Sequence, residues 1–130
     1  MTHTATGTLD VTLAPLDIEG ELMGRRSIDK RFTGALEAVS SGQMLSAGTT
    51  TKGSAVYVAI ERVRGLLDGR AGSFALYHTG VMNRGEAQLT VLVVPDSGTD
   101  ALEGLAGAMT IDVHEGRHHY VLNYQLPARS

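Results

Sequence analysis

The chain has 130 residues, the length of one ordinary domain, and it can bury enough surface to fold without disulfides or a structural metal. Its 11 Lys and Arg against 14 Asp and Glu give a formal net charge of −3, and the basic residues are scattered, which argues against nucleic acid as a partner. The absence of Cys excludes a disulfide framework and a thiolate metal site. We therefore predict one domain over residues 1–130, with no cofactor.

The first residues, MTHTATGTLD, have neither the charged nor the apolar region of a secretory signal. The longest uninterrupted apolar run, VLVVP, is far too short to cross a bilayer as a helix. We therefore expect a cytoplasmic protein that does not use a membrane as a partner.

Strand-like segments follow one another along the chain, separated by some of its 16 glycines and 3 prolines. Apolar and β-branched residues recur with a period of two in residues 6–13, 26–33, 35–39, 42–50, 54–64, 72–80, 87–94, 108–113 and 118–126. One short helical turn fits residues 100–105. Eight or so strands with short turns predict an all-β barrel or sandwich.

A turn at Asp68-Gly69 sets the register of the central hairpin. This dipeptide is typical of a two-residue turn whose residues adopt positive φ. The turn places Glu61 opposite Leu76 and makes His78 its diagonal neighbour, within hydrogen-bonding reach. Glu61 therefore points to the apolar face, whereas a slip of one residue would turn it outward.

Turns at Arg84-Gly85 and Glu115-Gly116 extend the same two faces, unless Asn83 lengthens the first turn. The inner face then collects Met, Leu, Ile, Val and Tyr side chains together with Glu61 and His78. The outer face is more polar and includes Arg62, Thr90, Thr110, Asp112, His119 and Asn123.

Two long stretches carry a family resemblance: GSAVYVAIERVRGLLDGRAGSFALYHTGVMNRG and LTVLVVPDSGTDALEGLAGAMTIDVHEGRHHYVLNYQLP. With SIDKRFTGALEAVSSGQML before them, they resemble an uncharacterised bacterial family of allene-oxide-cyclase-like barrel proteins, over residues 4–127. The resemblance implies an eight-stranded antiparallel β-barrel, usually a homodimer, with a cavity at one end. It implies no reaction. Plant allene oxide cyclases, which are distant relatives, close a ring in a fatty-acid epoxide with the help of a buried carboxylate, and no matching motif assigns that role to Glu61.

Glu61 and His78 are the candidate catalytic residues. Burial raises the pKa of a carboxyl group unless a partner or trapped water replaces the lost hydration, and His78 is the expected partner. Such a pair could act as general base and acid, or stabilise developing positive charge, in an isomerisation or cyclisation. The alternative is a structural pair of Glu61 with His78 or an arginine, without chemistry.

The other inward side chains are candidates for ligand contact: Tyr57, Phe74, Leu76, Val91, Met109, Tyr120 and Tyr124. Their default role is to fill the core, and a lumen filled by them would leave no room for a ligand. Arg84, in the turn at residues 83–85, could meet an anionic head group at the cavity mouth or simply belong to the turn.

Three further features have simpler interpretations. Asp112, His114 and His119 could hold a divalent metal, but solvated polar side chains are more common on a hairpin, so we predict no metal. The stretch SSGQ at residues 40–43 is expected to form a β-bulge that bends the barrel rather than a ligand loop. Asp29 and Lys30 could pair across the barrel end.

Three functions stay open. The first is a carrier that binds one small apolar or amphipathic molecule in the lumen. The second is an isomerase or cyclase that uses Glu61. The third is a packed barrel whose role lies in its homodimer surface.

Overall fold

A computed structural model describes residues 2–16 and 22–127. These residues form eight β-strands and one short 3-10 helix. The strands are β1 (His3–Leu16), β2 (Met23–Gly34), β3 (Leu36–Gly48), β4 (Ala55–Leu67), β5 (Arg70–Asn83), β6 (Glu86–Val93), β7 (Ala106–His114) and β8 (Arg117–Gln125). The 3-10 helix, η1 (Asp100–Leu102), lies within the predicted helical turn.

The strands close into a barrel in their sequence order, β1 to β8, and every neighbouring pair is antiparallel. The predicted eight-stranded antiparallel barrel is therefore confirmed. Each predicted two-residue turn forms with both residues at positive φ: Asp68-Gly69, Arg84-Gly85 and Glu115-Gly116. Because these turns fix the hairpin registers, Glu61 lies opposite Leu76 as expected.

The barrel interior is filled at one end. Its hydrophobic core contains the large buried side chains of Phe32, Leu36, Leu67, Phe74, Leu76, Tyr120 and Tyr124. Leu102 from η1 and Leu105 after it join the same core. The Tyr120 hydroxyl accepts a hydrogen bond from the Leu36 N–H and lies 3.0 Å from the carbonyl oxygens of Thr33 and Leu36, which ties β8 to the β2–β3 corner. We call this the packed end.

The expected β-bulge at residues 40–43 is absent, and the prediction was wrong. β3 runs unbroken from Leu36 to Gly48, and its pairing with β2 and with β4 continues through these residues without an insertion. A Cβ built on Gly42 would overlap the carbonyl oxygen of Ile60 and lie 2.6 Å from Cα of Glu61. The glycine therefore allows β3 to approach β4 closely in regular pairing, which requires no extra residue.

β6 and β7 join along only a short length. Among the described residues, the two strands pair at Val91 with Met109 and at Leu92 with Ala108. Within the described ranges, the remaining residues of β6 pair with no strand on that side, and inward-facing Leu89 is 46% exposed. The barrel wall is thus incomplete towards one end, which lies opposite the packed end.

The described residues contain no helix long and apolar enough to span a membrane.

Candidate functional site

Glu61 points into the barrel, as the register predicted, and is completely buried. The alternating burial of β4 places Ala59, Glu61 and Val63 on the inner side, with Ile60 and Arg62 outside. A strand with this alternation cannot turn one side chain outward without turning the rest of that face with it. The carboxylate is therefore held inside by the apolar residues around it.

Three side chains bind this carboxylate. His78 Nε2 lies 2.6 Å and Lys30 Nζ 2.7 Å from Oε2, and the Ser40 hydroxyl donates to Oε1 at 2.8 Å. Lys30, Ser40 and His78 are themselves buried. We refer to Lys30, Ser40, Glu61 and His78 as the Glu61 cluster. Every buried side-chain polar atom among the described residues has a hydrogen-bond partner, so the cluster is fully satisfied.

The cluster keeps Glu61 ionised. Burial raises the pKa of Glu61, but the hydrogen bond from His78 and the charge and hydrogen bond of Lys30 outweigh it and lower that pKa to about 2. An ionised carboxylate accepts hydrogen bonds only, so His78 must carry a hydrogen on Nε2. Lys30 supplies one positive charge against the negative charge of Glu61.

Lys30 and Ser40 were missed as partners of Glu61. The expected pair of Asp29 with Lys30 is wrong, because successive residues of a strand point to opposite faces. The signal was present in β2, where Ile28, Lys30 and Phe32 alternate with charged neighbours and share the inner face. A lysine between two inward apolar residues indicates a buried partner of opposite charge.

A cavity of about 310 Å³ lies at the open end of the barrel, opposite the packed end. Most of its lining side chains face inward by register: Arg26, Met44, Ser46, Ala55, Tyr57, Met82, Ala87 and Leu89. The Tyr57 ring lies across the backbone of Gly80, where a Cβ would overlap the ring. Burial and then the nearby charge of Glu61 raise the pKa of Tyr57, so its hydroxyl stays protonated. We call this cavity the cup.

Residues 5–124 match the model of a protein family of unknown function, DUF3224. The chain belongs to the DUF3224 family. A crystal structure at 1.84 Å of a DUF3224 protein of unknown function from Shewanella oneidensis MR-1 is 44% identical and superposes with a TM-score of 0.93, covering 99% of this chain and 100% of that one. No curated protein matches the sequence. The family and the structural relative therefore identify the fold without naming an activity.

In this DUF3224 chain, most side chains predicted to contact a ligand lie in the core. Phe74, Leu76, Val91, Met109, Tyr120 and Tyr124 are at most 3% exposed and pack in one cluster. Of the predicted set, Tyr57 lines the cup. The lumen is thus filled at the packed end, and the open cavity lies at the other end.

Arg84 and the last hairpin take no part in the cup of this DUF3224 protein. Arg84 lies in the β5–β6 turn, where its N–H donates to the Ser54 hydroxyl, and the cup is lined instead by Arg26. On the β7–β8 hairpin, His114 and His119 are in ring contact. Among the described residues, no three His, Asp or Glu side chains are grouped to hold a metal ion.

The geometry separates two chemical environments in the DUF3224 barrel. The Glu61 cluster is a buried network built on the Lys30–Glu61 ion pair, and the carboxylate does not line the cup. With a pKa of about 2, Glu61 is a weak general base at neutral pH, whereas its fixed negative charge could stabilise a nearby positive charge. The cup offers apolar surface, two hydroxyl groups and one guanidinium.

Proposed function

We propose that this DUF3224 protein binds a small apolar or amphipathic molecule in the cup. The observation that supports the proposal is the cavity of about 310 Å³, whose size falls at the lower end of the range for small-molecule sites. Its wall includes Met44, Tyr57, Met82 and Leu89, apolar surface that the barrel leaves unfilled at this end. Binding would remove that surface from water, which provides the driving force.

We expect octanol to bind in the cup and to shift the NMR signals of Met44 and Met82 in protein labelled at the methionine methyl groups. Both residues line the cup, whereas Met109 lies in the core and Met23 on the outer surface. Ala87→Trp should weaken binding at least about ten-fold, because the indole ring occupies the cup. Thr90→Trp, on the outer face of the same strand, is the matched control.

The proposal fails if the signals of Met44 and Met82 do not move, or if they move equally in Ala87→Trp. A shift confined to Met23 would place the binding on the outer surface instead.

An isomerase or cyclase is the second candidate function. The observation that favours it is the buried, ionised carboxylate of Glu61, and the resemblance to allene oxide cyclases supports it. In that case Lys30→Met combined with Glu61→Gln, which removes both charges together, should retain ligand affinity and lose turnover. Equal turnover in this variant and the wild type would rule out an isomerase or cyclase that uses Glu61.

We also infer a homodimer in a bacterial cytoplasm. Exposed apolar side chains on the outer face of β3, β4 and β5 support the dimer: Leu45, Val56, Val58, Ile60 and Val81. Ile60, at 64% exposure, is the most exposed of them. Ile60→Glu is expected to yield monomers in light scattering, with Arg62→Glu on the same face as the charge control.

The Shewanella relative supports the bacterial origin, and the lack of Cys supports the compartment.

A further inference from the structure

Arg26 is the one charged residue among those lining the cup in the described part of the chain. It lies on the inner face of β2, directly across from Met44 on β3. Tyr57 and Leu89 contribute to the same wall from β4 and β6. A guanidinium at the rim of a mostly apolar cavity can bind a negatively charged group, and this contact would orient an amphipathic ligand.

No described carboxylate neutralises Arg26. The buried carboxylate of Glu61 is already paired with Lys30 and with His78. Lys30, four residues along β2 on the same inner face, is therefore already paired, and Arg26 is left with its donors available to a ligand. Arginine differs from lysine in presenting a planar fork of N–H groups, which matches the two oxygens of a carboxylate.

We infer that the cup selects a monoanionic amphipathic ligand, with its carboxylate-like head group on Arg26 and its apolar body against Met44, Tyr57 and Leu89. This inference rests on the proposed binding function and adds the charge of the ligand to it. A single guanidinium, without a second cation in the lining and in a chain with a net charge of −3, favours one negative charge over a phosphate or a dianion.

Octanoate and octanol, which share the same chain, test the head group. Dissociation constants are measured from the Met44 and Met82 methyl signals at neutral pH in the wild type and in three variants. Arg26→Gln removes the charge, Arg26→Lys keeps it without the planar fork, and Arg84→Gln removes a rim arginine that does not line the cup. Arg26 is exposed at the rim, so these substitutions leave the core intact.

We expect octanoate to bind the wild type about five-fold more tightly than octanol, which is the scale of a solvent-exposed charge-assisted contact. Arg26→Gln should remove this preference and leave octanol binding unchanged. Arg26→Lys should retain part of it, Arg84→Gln all of it, and high salt should reduce it.

Equal affinity of the wild type for the two probes would overturn the inference while leaving the binding function in place. A preference that survives in Arg26→Gln would also overturn it, because the head group would then bind elsewhere. Failure of both probes to move the Met44 and Met82 signals would overturn the binding function together with the inference.

Discussion

Glu61→Ala is expected to lower the free energy of unfolding by about 4 kcal/mol, because it leaves the buried ammonium group of Lys30 without a counter-charge. His78 and Ser40 would lose their shared acceptor at the same time. Urea denaturation followed by far-UV circular dichroism measures the loss. Glu37→Ala, at an exposed outward position on β3, is the matched control and should change the stability by less than about 0.5 kcal/mol.

The stabilisation of the fold by Glu61 also depends on pH. Its pKa is lowered from an ordinary 4.5 to about 2 in the folded protein, so the folded state prefers the ionised form. The contribution, roughly 3 kcal/mol, is fully present above pH 4.5 and is lost as the pH falls towards 2. Glu61→Ala should lack this part of the acid dependence. An unchanged pH profile in Glu61→Ala, or a loss of stability below about 1 kcal/mol, would mean that the carboxylate is solvated and unpaired.

Gly42→Ala is expected to destabilise the barrel by about 3 kcal/mol, because the added Cβ would meet backbone atoms of Ile60 and Glu61. Backbone cannot swing aside as a flexible side chain can, so β3 and β4 must separate at the point where the Glu61 cluster is held. Thermal or urea unfolding measures the cost. Gly48→Ala, on the same strand, is the control, since the nearest atom to its Cβ would be the Leu22 oxygen at 3.5 Å, an ordinary contact.

A loss below about 1 kcal/mol in Gly42→Ala would show that the two strands have room to move apart. If Gly42→Ala is destabilised as expected and its acid dependence changes as well, the close approach of the strands also positions the Glu61 carboxylate.

The fold was largely predictable because its turns are short and chemically explicit. Asp68-Gly69, Arg84-Gly85 and Glu115-Gly116 set the registers of three hairpins, and alternation then assigned each side chain to a face. The bulge expected at residues 40–43 failed for a physical reason. Polar residues and a glycine in a strand suggest an interruption, but here Ser40 faces a buried acid and Gly42 allows a close strand approach.

The site was predictable only within a hairpin. The contact between Glu61 and His78 follows from a single turn, whereas Lys30 reaches Glu61 from β2, across the whole width of β3. β2 and β3 are joined through Ala35 alone, which carries no turn signal of the Asp-Gly kind, and β3 reaches β4 through residues 49–54, so the sequence leaves both registers open. Alternation also predicts which side chains face inward, but it does not show which of them lie at the packed end and which line the cup. The sequence therefore suggested Arg84 for the cavity mouth, whereas Arg26 lines the cup.

The short junction of β6 with β7 gives the closed barrel one weak seam. Two residue pairs hold it in the described chain, whereas β4 and β5 pair along their whole length. Separating β6 from β7 therefore breaks few hydrogen bonds, so its local opening has a low free energy compared with global unfolding. Amide hydrogens of β6 and β7 at this seam should exchange with solvent earlier than those of β4. An opening there would part the wall beside Val91, whose partner on β5 is His78, the residue that binds Glu61.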